Sequence, residues 1–382
     1  MKWLLALLLA GSAQAQSLSY LGQQIVPSSA SFRGVPAGGL SSIDYVPATG
    51  RYLAICDDRS ERGPARFYEL ALDLSRFRRS ADPGDAGVRW VDMTTMLDLD
   101  GQPFARNMVD PESLRLDAKR NRIYWANEGQ RTSAVMQNPT LRSMQLDGKP
   151  AGEFAVPSYY NPTGSASGLA AGDAGVYNNL AFESVAITPD GRTMWSMVEN
   201  GLAQDSLPTA VDHGSRARML SFDLDTGKPG AEYIYDVAPL PFPPARAGDF
   251  ATNGVPDMLA LSSTEFIVIE RAYAVGAATP GLAPFTKLPT SNTIKLFRID
   301  TRGATDVSGW ESIKGRDVVP VKRSLLLDLS TLKNDDGSVL ALDNIEGITF
   351  GPTVDGKRTL ILVSDNNFNP AQFTQFIALL ID

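Results

Sequence analysis

Short runs in which every second residue is apolar recur along the chain, and almost nothing shows the three-to-four spacing of a helix. Residues 181–200, AFESVAITPDGRTMWSMVEN, give the clearest case: VAI and TMWSMV flank TPDG and predict two strands joined by a tight turn. A carboxylate stands at each end, Glu183 going in and Glu199 coming out. Four other stretches share the layout: LSSIDYVPATGRYLAICDD, PESLRLDAKRNRIYWANEG, PDMLALSSTEFIVIER and IEGITFGPTVDGKRTLILVSDNN. Their starts, with Phe182 for the first stretch, are Leu40, Pro111, Phe182, Pro256 and Ile345, spaced by 71, 71, 74 and 89 residues. After each hairpin comes an alternating third strand that ends in an Asp turn, such as ARFYELALDL or IKLFRIDT, and in most repeats a fourth, such as VRWVDMTTML or EFAVPSYY.

Four short strands per repeat predict an all-β fold, a β-propeller of four-stranded antiparallel blades, over a sandwich or two smaller β domains. Five blades are visible, and the long segments 239–256 and 301–322 leave room for a sixth. The last repeat has three strands, so LSYLGQQIVP near the N-terminus is expected to pair with FTQFIALLID and close the ring as one domain over 18–382.

Antiparallel blades put their connections on two faces. The turns inside the first hairpins are short, whereas 127–138, 161–180, 199–216, 239–256 and 270–292 are long and should gather on the opposite, binding face. That face receives the start of each first strand, with Glu112, Glu183, Asp257 and Glu346, and the end of each second strand, with Asp57, Glu128, Glu199, Glu270 and Asp365. Asn127, Asn200, Asn344, Asn366 and Asn367 stand beside them, and Phe104, Tyr159, Tyr160, Phe242, Tyr273 and Phe368 fall on the same face. Crowded carboxylates stay ionised only beside a cation or an arginine, for which Arg59, Arg62 and Arg271 are candidates.

Composition narrows the chemistry. The first sixteen residues, MKWLLALLLAGSAQAQ, read as a secretory leader cut after Ala15, so the mature chain is expected in the periplasm or outside the cell. No later stretch is apolar enough for a membrane helix. Net charge is −8, and −9 once Lys2 is removed, which speaks against nucleic acid and for cations. One cysteine, Cys56, excludes an intrachain disulfide, and one histidine, His213, excludes a histidine-rich zinc cluster. An oxygen-only ligand set suits Ca²⁺.

The segments DYVPATGRYLAICDDRS, VDPESLRL, FIVIER and above all DNIEGITFGPTVDGKRTLILVSDNNFNPAQFTQFIALLID resemble the phytase-like family, described as having esterase-like activity of phytase. The resemblance runs from about Gly38 to Asp382 and implies an exported propeller that hydrolyses phosphoesters or other esters. Glu346-Gly347 keeps the family's usual Glu-Gly, while Glu112-Ser113 and Glu183-Ser184 depart from it.

Three functions compete. The first is a monomeric, calcium-dependent phosphoester hydrolase with metal ligands among Asp57, Glu112, Glu128, Glu183, Asp257, Glu270, Glu346 and Asp365. Its catalytic groups would be Glu183, Glu199 and Glu346, with Arg59 and Arg271 clamping a small-molecule substrate. The second is a metal-independent carboxylesterase or lactonase. No G-x-S-x-G elbow is present, GSASG at 164–168 has Ala at its centre, and Ser330 to Lys333 matches S-x-x-K; His213 is the one histidine available as base. The third is a non-catalytic propeller that binds a cation, sugar or peptide.

Overall fold

The computed structural model describes residues 17–382, so the expected leader and its cut after Ala15 lie outside the described residues. Five antiparallel blades follow in chain order. Blade I comprises Leu40–Val46, Arg51–Cys56, Arg66–Leu72 and Val88–Thr95. Blade II comprises Pro111–Asp117, Arg122–Asn127, Thr140–Met144 and Pro150–Glu153. Blade III comprises Ala186–Ile187, Thr193–Gly201, Ser215–Asp223 and Pro229–Val237. Blade IV has its inner strand in two pieces, Ala251–Gly254 and Met258–Ala260, followed by Glu265–Ala274, Asn292–Asp300 and Lys322–Asp328. Blade V comprises Ile345–Val354, Lys357–Ser364 and Phe373–Ile381, and its outer strand is Leu18–Pro27 from the other end of the chain. That outer strand pairs antiparallel from Leu18 opposite Ile381 to Pro27 opposite Phe373.

The core lies between blades. Leu53 to Cys56, Ile267 to Ile269 and Leu360 to Val363 are continuously buried, because each second strand has a neighbouring blade on both faces. The apolar clusters straddle blade boundaries accordingly; one joins Ile267, Ile269 and Leu296 of blade IV to Ile348, Leu360 and Leu362 of blade V. Each such Leu or Ile contributes roughly 1.5–3 kcal/mol relative to exposure.

Two of the long segments resolve without a sixth blade among the described residues. Segment 239–256 supplies Ala251–Gly254 to blade IV. Segment 301–322 is irregular and packs Val307, Ile313 and Val318 on Ile234 of blade III. In blade II the fourth strand is Pro150–Glu153, so it ends where the expected EFAVPSYY begins; the Phe154 N–H still donates to the Leu141 carbonyl at 2.8 Å, and Pro157, which has no N–H to donate, lies beyond the ladder. Ser158–Tyr160 instead turns into a 3-10 helix. There the hydroxyls of Tyr159 and Tyr160 each donate to Glu232 at 2.6 Å, and Arg218 pairs with the same carboxylate at 3.0 Å.

The axial channel is plugged. Arg115, on the inner strand of blade II, donates to Ser42 Oγ at 2.8 Å and the Ile43 carbonyl at 3.3 Å in blade I. It also reaches Asp257 Oδ2 at 2.8 Å, the Met258 carbonyl at 3.1 Å and the Ile348 carbonyl at 2.9 Å, in blades IV and V. Whatever enters the binding face therefore meets a floor.

Candidate functional site

One backbone irregularity builds the mouth. Register slips by one residue between Leu40 and Ser42, between Pro111 and Ser113, and between Ile345 and Gly347, leaving Ser41, Glu112 and Glu346 unpaired as bulges. In blade III, Phe182 faces Val198 and Ala186 faces Trp195, which again leaves one extra residue. A bulge re-aims its side chain, and here it turns the first-strand acids Glu112, Glu183 and Glu346 into one cavity. The second strands deliver the rest. The backbone N–H groups of Asp57, Glu128, Glu199 and Asp365 donate to the carbonyls of Gly39, Asp110, Ala181 and Asn344 at 2.7, 3.0, 2.7 and 2.9 Å, an equivalent bond in four blades.

Blade IV breaks the rule by one residue. Gly254 pairs with Arg271 and Met258 with Val268, so the extra residue lies in Val255–Asp257. Counted from that bulge, Arg271 takes the place held elsewhere by a carboxylate, and Asp257 falls one step deeper, level with Ser42 and Ser113. The structure thus does not bring two of the expected metal ligands to the mouth. Asp257 is the buried partner of Arg115 and also accepts the Ile348 N–H at 3.0 Å. Glu270 is buried between blades III and IV, where it accepts from Tyr235 Oη at 2.6 Å and pairs with Arg323.

The cavity encloses about 620 Å³, and its walls include Asp57, Glu112, Glu183, Glu199, Glu346 and Asp365. Asn178, Asn179, Asn344, Asn367 and Asn369 add carboxamides, and Phe250 and Tyr273 add rings. Two overlapping carboxylate triads lie at the base of this cavity, Asp57–Asp110–Glu112 and Glu112–Glu128–Glu183, with one oxygen from each member within 4.8 Å of the others; Asp57, Glu112 and Glu183 line it, and Asp110 and Glu128 are buried behind them. Asp110 is the member that pattern reading missed: it precedes the strand, and only blade II has an acid there.

Charge is badly balanced on this floor. Burial, then the neighbouring carboxylates, push Asp110, Glu112, Glu183 and Asp365 well above the usual carboxyl range. Burial also raises Glu128 to about 7 and Glu346 to about 8. Two guanidinium groups oppose the eight carboxyls. Arg271 reaches Glu199 at 3.2 Å and Glu346 at 3.1 Å; burial alone would lower it, but those carboxylates hold it above its ordinary value. Arg59 is gripped by Asp110 at 2.6 Å and donates to Asn179 Oδ1 at 2.7 Å, which places it in a side pocket with Arg62 and Phe368.

Other expected residues fall elsewhere. His213 has its ring nitrogens against Asp212 Oδ1 at 2.7 Å and the Pro208 carbonyl at 2.9 Å. Ser165 is bonded to Asp173, and Ser330 donates to Asp328 at 2.6 Å where that residue caps a 3-10 turn. Phe104 and Tyr160 are core residues, and Phe368 lies under the Arg62 guanidinium at 4.7 Å.

The phytase-like family, described as "Esterase-like activity of phytase", matches residues 35–368. The chain belongs to the phytase-like family. This phytase-like propeller has no significant match among curated proteins. It is similar to a solved structure described as "Structure of Dos1 propeller", with TM-score 0.35 and 8% identity, over 90% of this chain and 68% of that one. It is also similar to a "Kuenenia stuttgartiensis Hydrazine Synthase", with TM-score 0.35 and 12% identity, over 85% of this chain and 64% of that one. The phytase-like family and the propeller fold together point to a hydrolase-like function, and the buried acidic clusters have the composition to hold a metal ion.

Proposed function

We propose that this phytase-like protein is an exported, calcium-dependent phosphoester hydrolase. The observation that carries the reading is the pair of carboxylate triads sharing Glu112, with Asp57, Glu112 and Glu183 lining the cavity and Asp110 and Glu128 buried behind them. The donor set fits a hard cation: it is all oxygen, and Glu128 Oε2 and Asp365 Oδ2 are buried without a hydrogen-bond partner. Asp57, Asp110, Glu112, Glu128 and Glu183 would hold calcium, with Glu346 and Asp365 on the adjoining wall. Bound there, calcium supplies charge neutralisation, attraction for phosphate oxygens and acidification of a water.

The chain's own residues do the remaining work. Arg271 Nε is buried without a partner, and the guanidinium lines the cavity, so it can donate to a phosphoryl oxygen while Glu199 and Glu346 hold it in place. Glu199 and Glu346 are thus positioning groups for Arg271. Arg59 holds Asp110, and through it the first triad, rather than clamping substrate. The carboxamides of Asn178, Asn179 and Asn367 line the rim and orient the ester by hydrogen bonds. The Arg115 plug keeps the cavity from draining through the axis.

The test is hydrolysis of p-nitrophenyl phosphate, p-nitrophenyl acetate and phytate, each with calcium and with chelator. Phosphate release with calcium that disappears on chelation is the expected result. A rate indifferent to chelation rejects the metal-dependent reading, and acetate turnover under chelator selects the carboxylesterase.

A further inference from the structure

One wall of the cavity is unlike the others. Loops 199–216 and 239–256, from blades III and IV, carry Leu207, Val211, Phe242 and Phe250 at 54, 49, 38 and 65% exposure. Isolated exposed apolar residues are ordinary, but two of these line hollows: Val211 a groove and Phe250 the acidic cavity. Between the loops runs a groove of about 410 Å³, lined by Val211, Leu240, Pro243, Pro244 and Ala247. That volume lies within the roughly 300–1,000 Å³ of ligand pockets.

The groove adjoins the acidic cavity, since Thr209 and Ala251 line both. Its side-chain polar groups are already paired. The Thr209 hydroxyl donates to the Asn253 carbonyl at 2.7 Å, and its N–H donates to Asn200 Oδ1 at 2.9 Å. Asp249 pairs with Arg246 at 3.3 Å. Pro243 and Pro244 have no N–H to desolvate and a fixed φ, so this wall is stiff before anything binds. On the cavity side the apolar path continues through Phe250, whose ring lies 6.3 Å from that of Tyr273.

We infer that the groove takes an alkyl chain of the substrate while the phosphoester sits over the acidic floor. The substrate class is an amphiphilic alkyl phosphoester, in contrast to a uniformly polar polyphosphate. This rests on the hydrolase reading above for the position of the ester, and on the groove alone for the chain.

The experiment measures two series on the full mature protein with calcium: phosphate release from ethyl, butyl, hexyl and octyl phosphate, and calorimetric titration with the matching alkyl phosphonates, which cannot be hydrolysed. All are used below their micellar concentrations. Both kcat/KM and phosphonate affinity should rise about two- to fourfold per methylene, the upper figure being complete burial. Val211→Asp should flatten both slopes by placing a charge in the groove, and Ala247→Trp should flatten them by filling it, with folding checked by circular dichroism. A wild-type phosphonate affinity that is undetectable or independent of chain length overturns the groove, whatever the rates. An affinity that climbs with chain length while no phosphate is released upholds the groove and rejects the hydrolase.

Discussion

Glu112 belongs to both carboxylate triads, so it has the most to lose and to gain from a change of charge. One of its oxygens accepts from Ser41 Oγ at 2.7 Å, while Asp57, Asp110, Glu128 and Glu346 all press on it electrostatically. Glu112→Gln keeps the shape and removes the charge. Two opposite effects are expected: the proposed calcium-dependent activity falls by about 100-fold, at the upper end of losses seen around metal sites, and the melting temperature of the chelated protein rises at neutral pH, because a buried carboxyl whose pKa is pushed up destabilises the fold there and an amide does not. Scanning calorimetry with and without calcium reads the second effect, and a chelated variant that melts lower than wild type contradicts it. Most of this floor was legible in the sequence. Asp57, Glu112, Glu128, Glu183, Glu199, Glu346 and Asp365 keep the same relation to their strand ends, so the hairpin repeat revealed them together. Asp257 and Glu270 kept that relation only on paper. One extra residue before Asp257 moves each by a step, and the unbroken run Ile267-Val268-Ile269 carries no alternation from which the shift could be read.

Strands were legible because short apolar or alternating runs bounded by turn residues recur in every blade, but the long connections were read only as insertions. Segment 161–180 is in fact cross-tied. Buried Arg131 donates to the carbonyls of Thr163, Ser165, Ala174 and Val176 at 2.7, 2.8, 2.8 and 3.0 Å. Asp173 accepts from the N–H groups of Ser165 and Ala170 at 2.7 and 2.9 Å. No periodicity announces such ties, since they run from one side chain to scattered backbone. Their consequence is functional, because this loop brings Asn178 and Asn179 to the cavity. Asp173→Ala is expected to speed thermolysin cleavage at exposed Leu169 by about tenfold, the loss of one to two net hydrogen bonds. The hydrogen bonds from Ser165 hold the Asp173 carboxyl below its ordinary value of 3.8. A lowered native pKa means that this contribution is intact above the unfolded value and is lost as pH falls through the native one. In the wild type, pepsin should therefore find the loop closed at pH 4 and progressively open below it, whereas the variant should show no such step.

A ring of blades is held by what crosses its axis as well as by what lies between neighbours. Four of the five blades meet at Arg115, whose guanidinium faces Asp257, Ser42, three carbonyls of other blades and the Leu114 carbonyl of its own. Removing the cation leaves a fully buried carboxylate unpaired, a loss of about 3–5 kcal/mol for a broken buried pair. Arg115→Met should thus lower the urea midpoint of the whole molecule in one cooperative step, with no isolated loosening of blade II. The loss should also depend on pH. Burial already pushes Asp257 up to about 6 with Arg115 present, and Arg115 is what pulls it down. Without that partner the native value rises further, so the ionised form costs most at high pH. Stability is regained as pH falls through the native value toward the unfolded one. The variant should be closer to wild type at pH 5 than at pH 8. Arg115→Met combined with Asp257→Asn should recover part of the loss at pH 8, because neither charge is then left alone. Equal destabilisation of the single and double variants at both pH values would show that the plug acts by filling space and that its charge pair ties no blades together.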